Sequence, residues 1–306
     1  MMKKLIAMLA ACTMLLGLAA CGGSSSGSTA ESTPASSAAA QSTPAESTPA
    51  DSTGALAVAG GDPAEHTVEA IQEKGVLVVT TEAGYAPFEF LDDEGNIVGL
   101  DASLAQQLAA DLGVELDMQN IAFDMVVSEV QAGNADMAIA GLTPNSERKQ
   151  SVDMSDMYYE GGQCMLVLEE NLDTYATKES LAGQTMATQK AALQETLMAE
   201  QFPDAVPLLL TDFPQCIASL QAGDCAAVLI DTISAEQYMQ TIPGLAIGQV
   251  TVEIDPEEGG NSVAVMKGNT DLLDWVNERI AEYKEQGLLD QWFEEAQAQA
   301  ESMGIA

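Results

Sequence analysis

The chain has 306 residues, of which 47 are acidic and ten basic, giving a net charge of −37 with a single histidine. Such a balance repels nucleic acid and anionic lipid headgroups, both of which are bound through clustered cations. With His66 alone at the start of the apolar-patterned part, no Ser-His-Asp or Cys-His pair forms on a shared site. The absence of HExxH, a phosphate-binding loop and a strand-borne GxGxxG leaves no enzyme, cofactor or metal expected.

Lys3 and Lys4 precede an apolar run from Leu5 that ends in small residues and a cysteine, the pattern of an export leader too short for a permanent membrane span. "LAAC" occurs at Leu9–Cys12 and at Leu18–Cys21, and only the second follows a full apolar segment and precedes polar sequence, "GGSSSGS". It resembles a bacterial lipobox. That resemblance implies removal of residues 1–20 and a lipid on the sulfur of Cys21, holding the protein to the outer face of the cell membrane. Apart from Cys21, residues 21–61 are mostly Ser, Thr, Ala, Gly and Pro with a few acids, with "STPA" recurring at Ser32, Ser42 and Ser47, too poor in apolar side chains to pack. About 40 such residues make a tether of roughly 35 Å. Loss of Lys3 and Lys4 leaves eight basic against 47 acidic side chains, or −39, which suits a soluble, exposed surface.

From residue 62 the pattern is that of a folded domain. "GVLVVTTE" (75–82) reads as a strand, "AGYAPFEF" as turn-prone, and "DDEGNIVG" as a hairpin-like acidic turn. "DASLAQQLAADLG" aligns Leu104, Leu108 and Leu112 on one helix face, with an acid, Asp101, at the N-cap and Gly113 at the end. Strands follow near 114–118, 136–140, 164–168, 185–189, 206–210 and 226–230, with helices at 124–132, 193–200 and 213–222. Strands alternating with helices argue an α/β architecture with largely parallel sheets. Cys164, Cys216 and Cys225 show no metal spacing and read as buried thiols, a Cys216–Cys225 bridge being the open alternative.

One phrase occurs twice. "QAGNADMAIAGLTPNSERK" (131–149) leads to Arg148, one of only two arginines, and "QAGDCAAVLIDTISA" (221–235) leads to Asp231. In both a helix stops at a glycine, Gly133 or Gly223, and a buried strand then delivers Gly141-Leu-Thr or Asp231-Thr at its carboxyl end, where open α/β sheets place ligands. The copies would each supply one wall of a cleft.

"YAPFEF" (85–90), "IVGLDASLAQQLAADLG", "AFDMVVSEVQAGNADMAIAGLTPNSERKQSVDMSDMYYEGGQ" and "GDCAAVLID", in that order, resemble the family 3 extracellular solute-binding proteins, the polar amino-acid receptors of ABC importers. The resemblance runs from about Glu73 to "GLLDQWFEE". It implies a two-lobed periplasmic-binding-protein-like type II fold with crossovers near 160–163 and 259–267. Lobe 1 would be 62–160 and 267–306, and lobe 2, with the hinge crossings, 161–266. It further implies a monomer that serves a permease and its ATPase.

Carried over residue by residue, the resemblance gives Arg148 the ligand carboxylate, aided by the Thr143 hydroxyl and main-chain amides. Asp231 takes the ammonium with the Gly141 carbonyl. Tyr85 and Phe123 sandwich the side chain, and Glu82 reads a donor on it. Gln189 and Leu193 complete the set on the second lobe. The family's Gly-Ser/Thr-Thr turn is here Ala191-Ala192-Leu193, which removes hydroxyls near the carboxylate; Met157 and Ala226 replace a common Pro and Asp. Each site residue also has a plainer reading: Arg148 as a surface partner of Glu147 or Asp153, Asp231 as the N-cap of "TISAEQY", Tyr85 and Phe123 as core, and Glu82 as a solvated strand-end acid. The expected function is capture of a free polar or cationic amino acid for import. Cystine or another uncharged amino acid is the alternative, with a lyase or a sensor on the same fold behind it.

Overall fold

A computed structural model describes residues 60–305; the expected leader, the lipidated Cys21 and the linker up to Ala59 lie outside the described residues. The first lobe begins with α1 (Val68–Lys74) and β1 (Val76–Thr81), a β-branched strand that feeds a small antiparallel meander of β2 (Gly84–Tyr85), β3 (Glu89–Leu91) and β4 (Ile97–Val98). It continues through α2 (Leu100–Leu112), β5 (Glu115–Asn120), α3 (Phe123–Ala132), β6 (Met137–Ala138), the single turn α4 (Arg148–Ser151) and the long β7 (Val152–Glu160). The second lobe comprises β8 (Gln163–Leu168), β9 (Thr185–Gln189), α5 (Leu193–Gln201), β10 (Val206–Leu210), α6 (Phe213–Ala222), β11 (Ala227–Asp231), α7 (Thr232–Thr241) and β12 (Leu245–Ile247). The chain then returns with β13 (Gly260–Met266) and closes on α8 (Thr270–Gln286) and α9 (Leu288–Met303).

The two large sheets share one plan, with strand orders β5-β1-β6-β13-β7 and β10-β9-β11-β8-β12. In each, the first three strands run parallel and the fourth, β13 or β8, runs antiparallel to both its neighbours. The sheets are therefore mixed, not largely parallel. The reason is connectivity: β8 and β13 enter their sheets straight from the crossovers, without the helix that a parallel return needs.

The first crossover is Gly161-Gly162. The second ends at Gly259, short of the expected 259–267 crossing, because Gly260–Met266 is itself a strand of the first sheet, paired with β6 and β7. The Gly161 amide donates to the Gly259 carbonyl at 2.8 Å, so the two crossings lie side by side. At Gly260 any Cβ would overlap the Tyr159 carbonyl oxygen, which makes glycine obligatory there.

The α2 helix starts earlier than its acid suggested. Gly99, at φ 119°, is the cap, and the Asp101 amide donates to the Phe88 carbonyl at 2.9 Å. Asp101 is not the N-cap; its fully buried carboxylate turns inward, accepting from the Gly141 amide and the Tyr158 hydroxyl, each at 2.8 Å. At the other edge of the lobe, buried Asp136 accepts from His66 Nδ1 at 2.7 Å and from Lys74 Nζ and the Val78 amide at 2.8 Å, pinning the start of the domain to β1. Leu104, Leu108 and Leu112 pack with Leu77 and Val79 in a core that continues into the second lobe through Tyr85 and Phe213. Cys164, Cys216 and Cys225 are buried, free thiols.

Candidate functional site

Residues from the carboxyl ends of strands in both lobes converge on one narrow cleft. The first lobe supplies Glu82 just beyond β1, Tyr85 from β2, Phe123 at the start of α3, and Gly141, Thr143 and Arg148 after β6. The second supplies Gln189 at the end of β9, Leu193 at the start of α5 and Asp231 at the end of β11. All nine residues singled out from the sequence thus line one space.

Arg148 is 8% exposed and its guanidinium reaches into the cleft, with Nη1 donating to the Thr143 carbonyl at 2.9 Å and Nη2 to the Ala191 carbonyl of the other lobe at 3.1 Å. Its Cζ lies 5.5 Å from the centre of the Phe123 ring, within range of a cation–π contact. Burial lowers its pKa to about 10, against the field of Glu147 and Glu258, so it stays charged at neutral pH. It is not a surface partner of Asp153, which instead pairs with Lys267 at 2.7 Å. Ala191, the acceptor on the far side, sits at φ 63°, a left-handed conformation that costs a residue with a Cβ about 1 to 2 kcal/mol.

Asp231 does cap α7, its Oδ1 accepting from the Ile233 amide at 2.9 Å, and this leaves Oδ2 for the cleft, with Gln163 Nε2 at 3.5 Å. Burial raises its pKa to about 7. Glu82 is not a solvated acid: Gln189 Nε2 donates to its Oε2 at 3.0 Å across the cleft, and burial, with Asp212 adding, takes its pKa to about 7 despite that bond. The two lobes are further tied by Lys190 Nζ and Asp124 Oδ2 at 2.8 Å on the rim.

The aromatic wall differs from a simple Tyr85–Phe123 pair. Tyr85 stacks on Phe213 of the second lobe, centroids 4.9 Å apart, while Phe123 lies against Arg148. Phe213 was not among the residues anticipated, yet its signal was present: Phe123 and Phe213, Gly133 and Gly223, and Gly141 and Asp231 are all separated by the same 90 residues. Glu89, Gln163, Gln194 and Asn261 also line the cleft without a local signal in the sequence. Among the described residues no cluster of His, Cys, Asp and Glu is arranged to hold a metal ion.

Residues 77–296 match the family model of the bacterial extracellular solute-binding proteins, family 3. The chain is 31% identical over 235 residues to the L-cystine-binding protein TcyJ of Escherichia coli (strain K12), covering 75% of this chain and 86% of that one. It is 30% identical over 227 residues to the arginine-binding extracellular protein ArtP of Bacillus subtilis (strain 168), covering 72% and 87%. A crystal structure of an amino acid ABC transporter substrate-binding protein from Streptococcus pneumoniae bound to L-arginine matches with a TM-score of 0.72 at 37% identity, covering 76% of this chain and 97% of that chain.

Proposed function

The chain belongs to the bacterial extracellular solute-binding proteins, family 3, and from that premise we propose that it captures a free amino acid with a polar or cationic side chain and delivers it to the permease of an ABC importer. The observation that carries this reading is that Arg148 and Asp231 reach one cleft from opposite lobes. A free amino acid presents a carboxylate and an ammonium, and burying either unpaired costs several kcal/mol. The planar fork of Arg148 suits the carboxylate, with Thr143 beside it. Oδ2 of Asp231 and the Gly141 carbonyl suit the ammonium. Because these partners stand on different lobes, only the closed form satisfies both ends, so ligand draws the lobes together. Tyr85, Phe123 and Leu193 provide apolar walls for the stem of the side chain. Glu82, with Gln189, provides an acceptor for its donor end. Cys21 would carry the lipid that keeps the protein at the outer face of the membrane.

A second reading, an uncharged ligand such as cystine, is favoured by the Ala191-Ala192-Leu193 turn, which puts methyl groups where hydroxyls would make that wall polar. A thermal-shift screen of the purified protein against the common amino acids, ornithine, citrulline and cystine separates the two. A ligand at 100 times its dissociation constant adds about 2.7 kcal/mol, a shift of roughly 5 to 10 °C for a domain of this size. Arginine, lysine or ornithine should give the largest shifts; cystine above all of them would select the second reading, and silence across the panel would refute both.

A further inference from the structure

A second cavity, of about 440 Å³, opens on the first lobe where the end of β7 meets the turn between α8 and α9 and the first residue of α2, Leu100. It shares no lining residue with the cleft between the lobes. Its size is that of a small-molecule site. The walls are largely apolar: Leu100 and Leu289 are buried, and the rings of Tyr159 and Phe293 lie 5.2 Å apart with their planes inclined at 30°. The rim carries one cation and two anions, Lys284 with Glu160 and Asp290. Other lysines are held in ion pairs, Lys74 with Asp136, Lys190 with Asp124 and Lys267 with Asp153, whereas none of the three rim charges has a side-chain partner among the described residues. Tyr159 and Glu160 are the last two residues before Gly161, and a Cβ at Gly161 would stand 3.0 Å from both the Tyr159 hydroxyl and Oδ2 of Asp231. The ring of Tyr159 thus borders the cavity on one side and the crossover on the other.

We propose that this cavity is a second binding site, for a free amino acid with an apolar, aromatic side chain. The carboxylate of that molecule pairs with Lys284, its ammonium with Glu160 and Asp290, and its ring lies against Phe293, Tyr159 and the two leucines. A ligand with a single charge would leave the opposite rim charge without a partner, and a polar side chain would lose its water against these walls without gaining a hydrogen bond. A zwitterion with an apolar body answers both demands. It would rest on the last residues before the crossover, behind the cleft and not in it. Arg148 takes no part, so the inference does not depend on the reading proposed for the cleft.

The test is an NMR titration of the purified protein with L-phenylalanine, and with L-phenylalaninamide and N-acetyl-L-phenylalanine, which lack the carboxylate and the ammonium respectively. Lys284→Met and Arg148→Lys are titrated beside the wild type. Phenylalanine should bind the wild type and Arg148→Lys alike, and Lys284→Met about tenfold more weakly; each derivative should bind the wild type about tenfold more weakly than phenylalanine does. Lys284 is exposed in the last turn of α8, so its replacement should leave the fold intact, and resonances away from the cavity check this. Phenylalanine binding that Lys284→Met leaves unweakened overturns the inference, whatever Arg148→Lys does. So do the absence of phenylalanine binding and equal binding of the three compounds. The cleft reading is decided by the thermal-shift panel, and phenylalanine bound through Lys284 would stand even if that panel refuted it.

Discussion

Arg148 of the first lobe donates to the main-chain oxygen of Ala191 of the second across 3.1 Å, and Ala191 is the one described non-glycine residue with positive φ. A buried guanidinium, a strained backbone and the cleft thus meet at one contact between the lobes. The strain fits a functional position, since a left-handed alanine persists only where its surroundings over-determine it.

Ala191→Gly should relieve the left-handed strain, about 1 to 2 kcal/mol, while adding about 0.5 to 1 kcal/mol of unfolded-state entropy. The expected net is a small stabilisation, read as a rise of roughly 1 to 4 °C in the melting temperature. A fall in melting temperature would mean that the methyl group packs usefully.

Arg148→Lys keeps a charge but loses the two-pronged geometry. We expect a loss of about 2 to 4 kcal/mol in ligand affinity with the fold intact, measured by calorimetry alongside circular dichroism. Unchanged affinity would remove Arg148 from the binding set.

Asp231 holds its proton in the folded state up to about pH 7, whereas in the unfolded chain it ionises from the ordinary 3.8. The stability tied to that proton is full below about pH 4 and is lost as pH rises through 7. In ligand-free protein, Asp231→Asn should therefore be more stable than the wild type at pH 8, by about 2 to 4 kcal/mol, and the difference should vanish near pH 4. Asn preserves the cap of α7. A difference between wild type and variant that does not change with pH would contradict the burial of a titrating carboxyl.

Gly260→Ala forces a methyl group onto the Tyr159 carbonyl where β13 leaves the crossover. The chain must shift to make room, so a cost above about 2 kcal/mol is expected, seen in urea unfolding. A variant as stable as the wild type would show that the crossover tolerates displacement.

Cys21→Ser should release the protein from membranes without altering its melting temperature, because among the described residues no helix is long and apolar enough to cross a membrane. Fractionation reads the outcome; retention in the membrane pellet would argue against a lipid on Cys21.

Much of the cleft was legible because its residues stand at strand ends, where a buried apolar run stops abruptly on Gly141 or Asp231. Arg148 stood out through the scarcity of cations. Other features depend on pairings that no local pattern reveals. Asp101 has the look of a helix cap, and only the tertiary structure shows its carboxylate turned onto the Gly141 amide and the Tyr158 hydroxyl. Glu89 sits in "YAPFEF" like any polar residue of a short strand; its burial follows from the meander folding over the cleft. The mixed sheets escaped the alternation argument because β8 and β13 are set by where the chain crosses between lobes, and hydrophobic periodicity is the same for parallel and antiparallel strands.

The bond between the Gly161 amide and the Gly259 carbonyl has a mechanical meaning. Two strands of chain held edge to edge form a ribbon, which bends readily across its thin direction and resists both twisting and in-plane shear. A single strand would let one half of the molecule spin or slide against the other; the ribbon limits it to opening and shutting about one axis. Partners on the cleft walls would therefore meet in the same register each time the lobes closed.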